Sequence, residues 1–363
     1  MHTFTYSSAP ARILFGAGRM ADLADEVRRL GRRALVVTTP EQRDLGAQLV
    51  DLLGELCAGY FDGATMHTPT DVTARAMDTL RNSGVDCIVA GGGGSAIGLS
   101  KALAVRTGLP QIAIPTTYAG SEVTPILGET EDGRKTTRRA PEILPRVVIY
   151  DVNLTLSLPP TLSASSGLNA IAHAAEALYA KDCNPITSMM AEEGIRALGG
   201  SLGAIASDPA NLAARAKAQY GAWLCGTCLG AVGMALHHKI CHVLGGTFDL
   251  PHAPTHAVVL PYVLAYNARA ASDAVTRIGR ALASDPNSAA DADASRYLHG
   301  MLEQLCLPSS LAALGMPAGK LDVVADLVMQ QAYWNPRPVE RASLMRMLEA
   351  AFAGTPPSAD LSM

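Results

Sequence analysis

The chain has 363 residues, 48% of them hydrophobic and 17% charged, with 29 basic against 33 acidic side chains for a formal net charge of −4. A chain this apolar buries a large core, which excludes intrinsic disorder, and its slight acidity excludes a whole-protein polyanion binder, so no nucleic-acid partner is expected. The 7 cysteines have no framework spacing and the start, MHTFTYSSAP, has no basic-then-apolar leader, so a reduced cytoplasmic setting is expected.

In chain order, residues 34–38 (ALVVT), 87–90 (CIVA) and 111–115 (QIAIP) read as short buried parallel strands. Helical spacing over 41–56 and 72–83 separates the first two, with Asp71 as the expected N-cap of the second, and a further helix is expected over 96–105. RVVIY at 146–150 is the last expected strand, ended by Asp151 and Pro159-Pro160. Strands alternating with helices predict βαβ units and a parallel sheet covered on both faces. Past Pro160, alanine- and leucine-rich segments at 167–180, 188–206, 212–238, 270–284 and 294–306 predict a helical bundle. The expected domains are therefore 1–158, α/β, and 159–363, all-α, with a loose tail from 353. The uncharged stretch 218–238 is about one bilayer long, but it carries Gln219 and Thr227 and ends in a His pair. It is expected to be core, not a membrane span.

At 89–98, VAGGGGSAIG places four glycines between a strand and a helix. Such a turn lets backbone N–H groups reach a phosphate unobstructed by Cβ, beside a favourable helix dipole. It is neither a GxGxxG fingerprint nor a P-loop. PTTYAGSE at 115–122 follows the next strand at its carboxyl end, where open α/β sheets bind ligands. Two such turns outweigh the alternative of a flexible glycine loop. The candidate nucleotide contacts are Gly92, Gly93, Gly94, Ser95, Thr116, Thr117 and Ser121.

Of 9 histidines, those at 173, 237, 238, 242, 252 and 256 fall in the expected helical domain. His238 and His242 share a helix face, as do Asn169 and His173, and His252 is expected in a short loop after Gly245-Gly246. One histidine on an apolar face is usually a satisfied core residue. Several from separate segments point to a metal site or to proton-transfer and oxyanion chemistry. Cys225 and Cys228 form a C-x2-C inside an apolar helix, with no second pair, and read as packing.

GGGS at 92–95 with Lys101, PTT at 115–117, GSEVT at 120–124, N-x3-H at 169–173 and H-x3-H-x8-PH at 238–252 resemble the iron-containing (group III) alcohol dehydrogenases over nearly the whole chain. The resemblance implies a dehydroquinate synthase-like architecture: a Rossmann-like α/β domain for NAD(P), then an all-α helical bundle. That bundle holds a divalent metal through one Asp and three His, and these positions fall on Asn169, His173, His238 and His252, with His242 a nearby non-ligand. Three departures stand out: Asn169 replaces the anionic ligand, Gly98 replaces an Asp, and the PTT loop is one residue short and carries Tyr118. With WNPRP at 334–338, they resemble the maleylacetate-reducing branch. That branch implies NADH or NADPH as cofactor, no metal, a small dianionic substrate, a homodimer, and a place in aromatic-ring degradation. Thr38, ending the first strand with no acidic neighbour to repel a 2′-phosphate, is compatible with either cofactor.

On that reading His173, His238 and His252, with Asn169, line the pocket and hold an enolate oxygen, and His242 supplies the proton. Arg337 and Tyr118 are the expected substrate contacts, with the basic run RKTTRR at 134–139 as a second carboxylate partner. The competing expectation is a metal-dependent alcohol or lactaldehyde-type dehydrogenase that tolerates Asn169. A nucleotide-binding scaffold without catalysis is disfavoured, because a dead pocket has no reason to keep costly buried polar groups.

Overall fold

The computed structural model describes residues 4, 6, 12–283, 293–330 and 333–362. Backbone contacts divide the chain into two units, Ser8–Leu158 and Pro159–Met363, with Phe4 and Tyr6 grouped with the second.

In the first unit the strands are β1 (Arg12–Gly16), β2 (Ala34–Val37), β3 (Cys57–Phe61), β4 (Cys87–Gly92), β5 (Gln111–Pro115), β6 (Ile126–Glu131), β7 (Arg134–Arg139) and β8 (Val147–Asp151). Six form a wholly parallel sheet in the order β1-β8-β5-β4-β2-β3. Every residue of β2, β4, β5 and β8 is buried, which is why these segments are continuous apolar runs rather than alternating ones. Helices α1 (Leu23–Leu30) and α2 (Arg43–Leu53) bring Leu23, Val27 and Leu49 against Val36, Val89 and Ile112 on one face. On the other, α3 (Thr70–Ser83) and α4 (Gly94–Thr107) bring Val72, Leu80 and Leu99 against Leu35, Val37 and Ile88.

Two expectations need correction here, and two strands of the parallel sheet lie outside the expected set. The edge strands β1 and β3 escape the sequence pattern because half-exposed RILFG and CAGYF lack an unbroken apolar run. Asp71 does not cap α3. Pro69 occupies the N-cap, and Asp71 lies in the first turn, where its carboxylate suits the helix dipole. The basic run 134–139 is no loop: it is β7, paired antiparallel with β6. Asp132 and Gly133, with φ of 48° and 74°, make the left-handed two-residue connection that such hairpins favour.

The second unit is all helical: α5 (Pro160–Leu178), α6 (Pro185–Ser207), α7 (Leu212–Ala231), α8 (Leu236–Phe248), α9 (His252–Asn267), α10 (Ser272–Leu282), α11 (Ala294–Gln304), α12 (Leu321–Gln330) and α13 (Arg341–Ala353). The segment expected as one helix over 212–238 is two. The chain breaks after Ala231, where the Asp182 carboxylate accepts the Gly233 N–H and the Glu176 carboxylate accepts those of Ala235 and His237. Those anions supply the partners that a new helix N-terminus needs. Cys225 and Cys228 are buried, and the Cys228 thiol donates to the Thr187 carbonyl. The tail is not loose, since Ala359–Ser362 forms a 3-10 turn with Leu361 buried. Residues 284 and 363, the ends of two expected segments, lie outside the described residues. Among the described residues no helix is long and apolar enough to cross a membrane.

Candidate active site

In the first unit, β4 ends at Gly92, whose φ of 145° requires glycine, and α4 opens at Gly94 with Gly93 as N-cap and no side-chain cap. The first-turn N–H groups of α4 are thus left for another acceptor. A Cβ on Gly93 would lie 3.0 Å from Thr117 Cγ2, whereas one on Gly94 would meet nothing within 4 Å. Nothing in the fold demands glycine at 94, which fits a position that a phosphate must approach closely. Thr116 and Thr117 follow β5 at its carboxyl end, tied back by the Thr116 N–H to Gly92 O and by Gln42 Nε2 donating to Thr116 Oγ1. Thr38, at the end of β2, shares a hydrogen bond with the Tyr60 hydroxyl at 3.0 Å.

Buried Lys101 pins the second polar turn. Its Nζ donates to Ser121 O (2.5 Å), Ser121 Oγ (3.2 Å), Thr124 Oγ1 (2.9 Å) and Ile126 O (2.9 Å). Burial pulls Lys101 down to about 7, against the opposing pull of Glu122. Tyr118, expected at the substrate, is completely buried in the first unit. Gly98 has a structural reason of its own: a Cβ there would fall 2.4 Å from Thr68 Oγ1, leaving no room for Asp.

In the second unit α5 presents Asn169, His173 and Glu176 at i, i+4 and i+7, one helix face, all buried. Helix α8 brings His237, His238, Cys241 and His242. His252 is not in a loop. It opens α9 behind Pro251, one turn before His256, and the two rings lie 4.4 Å apart. Other ring separations in the cluster include 5.2 Å for His173–His238, 5.0 Å for His238–His256 and 6.1 Å for His238–His242. The four histidines singled out by the sequence therefore converge, joined by His237 and His256.

Glu176, which the sequence reading missed, organises this cluster. Oε2 accepts His238 Nδ1–H and the Ala235 N–H, both at 2.7 Å, and Oε1 accepts the His237 N–H at 2.8 Å. His238 Nδ1 therefore holds a proton, and in the neutral ring Nε2 keeps a lone pair. An acid in an alanine-rich buried helix, seven residues after Asn169, was the available signal. His238 Nε2, Asn169 Oδ1 and His173 Nδ1 are buried and meet no hydrogen-bond partner among the described residues. Unmatched buried polar atoms in such numbers mark a place where a ligand completes the bonding. Burial, then the neighbouring His238, His252 and His242, holds His173 well below the ordinary histidine value, and burial does the same to His237 and His256. These three rings are neutral near pH 7, whereas His242 and His252 are exposed.

The donor set does not fit a tightly held divalent ion. Asn169 offers only an uncharged oxygen, and the Glu176 carboxylate is engaged behind His238. Among the described residues, only His237, Cys241 and His256 bring three ligand atoms within 4.8 Å of one another, and two of these are already hydrogen-bonded together.

Arg337 is not an available anion clamp. Its Nη1 donates to Tyr266 O and Leu361 O, its Nη2 to Ser343 Oγ, and the guanidinium lies 4.1 Å over the Tyr266 ring. Asn335 and Asn267 exchange amide hydrogen bonds, so the WNPRP segment is a staple across the end of α9.

The Fe-containing alcohol dehydrogenase signature matches residues 10–152, and its C-terminal counterpart matches 163–352. The chain belongs to the Fe-containing alcohol dehydrogenase family. Within it, the chain is 54% identical to a maleylacetate reductase of Rhizobium sp. (strain MTP-10005), over 98% of this chain and 100% of the relative. The crystal structure of maleylacetate reductase from Agrobacterium tumefaciens is similar at a TM-score of 0.93, with 54% identity over 98% of this chain and 100% of that one. A putative alcohol dehydrogenase from Ralstonia eutropha JMP134 superposes at a TM-score of 0.96, with 52% identity over 99% and 100%.

Proposed function

We propose that this chain is an oxidoreductase that reduces the carbon–carbon double bond of maleylacetate to give 3-oxoadipate, with NADH or NADPH and without a metal. The observation that carries this reading is the cluster of Asn169, His173 and His238, oriented by Glu176, in which Asn169 offers an uncharged oxygen where the family resemblance implies an anionic metal ligand. The full-length likeness to maleylacetate reductases supports it.

When bound, the nicotinamide supplies hydride to the alkene carbon distant from the oxo group. The electron pair of the double bond then shifts toward the oxo oxygen, and neutral imidazole N–H donors of the cluster hold the charge that develops there. Buried neutral rings suit this task, because they donate a hydrogen bond without surrendering a proton. His173 is one such ring. The proton for the carbon next to the oxo group comes from His242, which is exposed and so regains it from solvent. The α4 N-terminus with Gly93, Gly94 and Ser95 binds the cofactor phosphates, and Lys101 holds the Ser121 turn in shape for the same ligand. Arg337 acts on the site only by fixing the 334–338 segment. The family resemblance favours a homodimer in the cytoplasm.

The test is NADH and NADPH oxidation by purified protein with maleylacetate against a panel of aldehydes and ketones, before and after EDTA. Turnover of maleylacetate alone, unaffected by EDTA, is the expected result. Preference for a carbonyl substrate, with activity abolished by chelation and restored by iron or zinc, would establish a metal-dependent alcohol dehydrogenase instead.

A further inference from the structure

The His237–His256 pair has no part in the mechanism above, yet its geometry is specific. His237 Nε2 and His256 Nδ1 are 3.0 Å apart, Cys241 Sγ is 3.8 Å from the same His237 nitrogen, and both rings are fully buried. The remaining nitrogens, His237 Nδ1 and His256 Nε2, meet no partner among the described residues. Two facing ring nitrogens bond only if one carries hydrogen and the other is bare, so two arrangements exist. If His256 Nδ1–H donates, the unmatched N–H is His237 Nδ1, on the ring packed against Cys241 and His256. If His237 Nε2–H donates, the unmatched N–H is His256 Nε2, on the ring 4.4 Å from exposed His252 and 5.0 Å from His238. Both rings lie near His238, at 5.3 Å and 5.0 Å, but a buried N–H without an acceptor is the rarer and costlier defect, and the second arrangement puts it on the ring beside exposed His252, the side from which a ligand oxygen would come.

We propose that His237 fixes His256 as its Nε2–H tautomer, making His256 a further hydrogen-bond donor to the oxo oxygen of the substrate. The polarity complements that of His238, whose Nδ1–H is bound by Glu176 and whose Nε2 is left as an acceptor. His237 is thus a positioning residue that acts through His256, with Cys241 closing the back of the pair. The ligand in this proposal rests on the maleylacetate reading; the tautomer does not.

Two measurements test it. Long-range proton–nitrogen NMR on histidine-labelled full-length protein, assigned with His237→Gln and His256→Gln, should show His256 protonated at Nε2 and bare at Nδ1. Protonation at Nδ1, or one equivalent of metal on His237, Cys241 and His256, would overturn the proposal whatever the enzyme reduces. In kinetics with maleylacetate, His237→Leu should lower kcat about tenfold or more with NADH affinity unchanged, as expected for a disordered oxyanion donor. His237→Gln, which keeps a donor facing His256, should recover most of that loss. Equal kcat in His237→Leu and wild type would also overturn it, and if the leucine variant does not fold, the wild-type spectrum decides. A wild type that ignores maleylacetate would refute the function and leave the tautomer to the spectrum.

Discussion

Replacing Glu176 by Gln removes a single charge and changes the tautomer of a ring on another helix. The carboxylate now accepts three N–H groups, from Ala235, His237 and His238 Nδ1. An amide has one acceptor oxygen, and its NH2 must point at donors. If the oxygen stays on His237 N–H, the NH2 faces the Ala235 N–H and His238 Nδ1. His238 can answer by moving its hydrogen to Nε2, but the Ala235 N–H is then left buried and unmatched. Bonds to a charged acceptor contribute roughly 1.5–3 kcal/mol, and an unmatched buried donor costs about 1–3 kcal/mol, so a net loss of about 2–4 kcal/mol is expected. At roughly 2–4 °C per kcal/mol for a domain of this size, the thermal midpoint should fall measurably. Catalysis should change separately, because without the carboxylate the His238 ring loses the partner that fixes its orientation in the pocket. Thermal unfolding followed by circular dichroism reads the first effect, and kcat at saturating NADH reads the second. A variant with wild-type midpoint and wild-type kcat would refute the role assigned to Glu176.

Gly94→Val should weaken NADH binding more than about tenfold, or roughly 1.4 kcal/mol, with folding intact, since a Cβ there meets nothing within 4 Å; unchanged affinity by calorimetry would remove the phosphate from this turn. Asn169→Asp restores an anionic ligand, so the variant should retain zinc or iron through gel filtration where wild type does not, as measured by elemental analysis. Acid stability follows from His173, His237 and His256, which are all held below the ordinary value of 6.5. Below that value the unfolded chain binds protons the folded one refuses. Stability is therefore full above about pH 6.5 and declines as pH falls, at up to about 1.4 kcal/mol per pH unit for each ring. Denaturant midpoints that stay flat from about pH 7.5 to 5 would show that these rings are not neutral and buried.

What could be read from the sequence follows how locally each feature is encoded. The buried strands β2, β4 and β5 were legible because all their residues face core, and the glycine turn because its residues are contiguous. A histidine cluster was legible from the grouping of six histidines, and the family resemblance singled out His173, His238, His242 and His252 among them. The break between α7 and α8 was not, since it depends on Asp182 and Glu176, side chains some 50 to 60 positions distant that supply the new helix with partners. Arg337 was expected at the substrate through the family resemblance, but only the fold shows its donors bound to Tyr266 O and Leu361 O. The Asp132-Gly133 hairpin was visible and passed over, because the charge of its second strand reads as solvated loop.

The central claim is that the bond reduced is carbon–carbon and that the histidine cluster manages the resulting charge without a metal. It is tested most directly by turning over maleylacetate with NADH deuterated at the transferable position, in EDTA-treated enzyme, and locating the deuterium by NMR of the product. The account requires 3-oxoadipate labelled on the former alkene carbon distant from the oxo group, with a solvent proton on its neighbour. Deuterium on a carbinol carbon, beside an intact double bond, would contradict it.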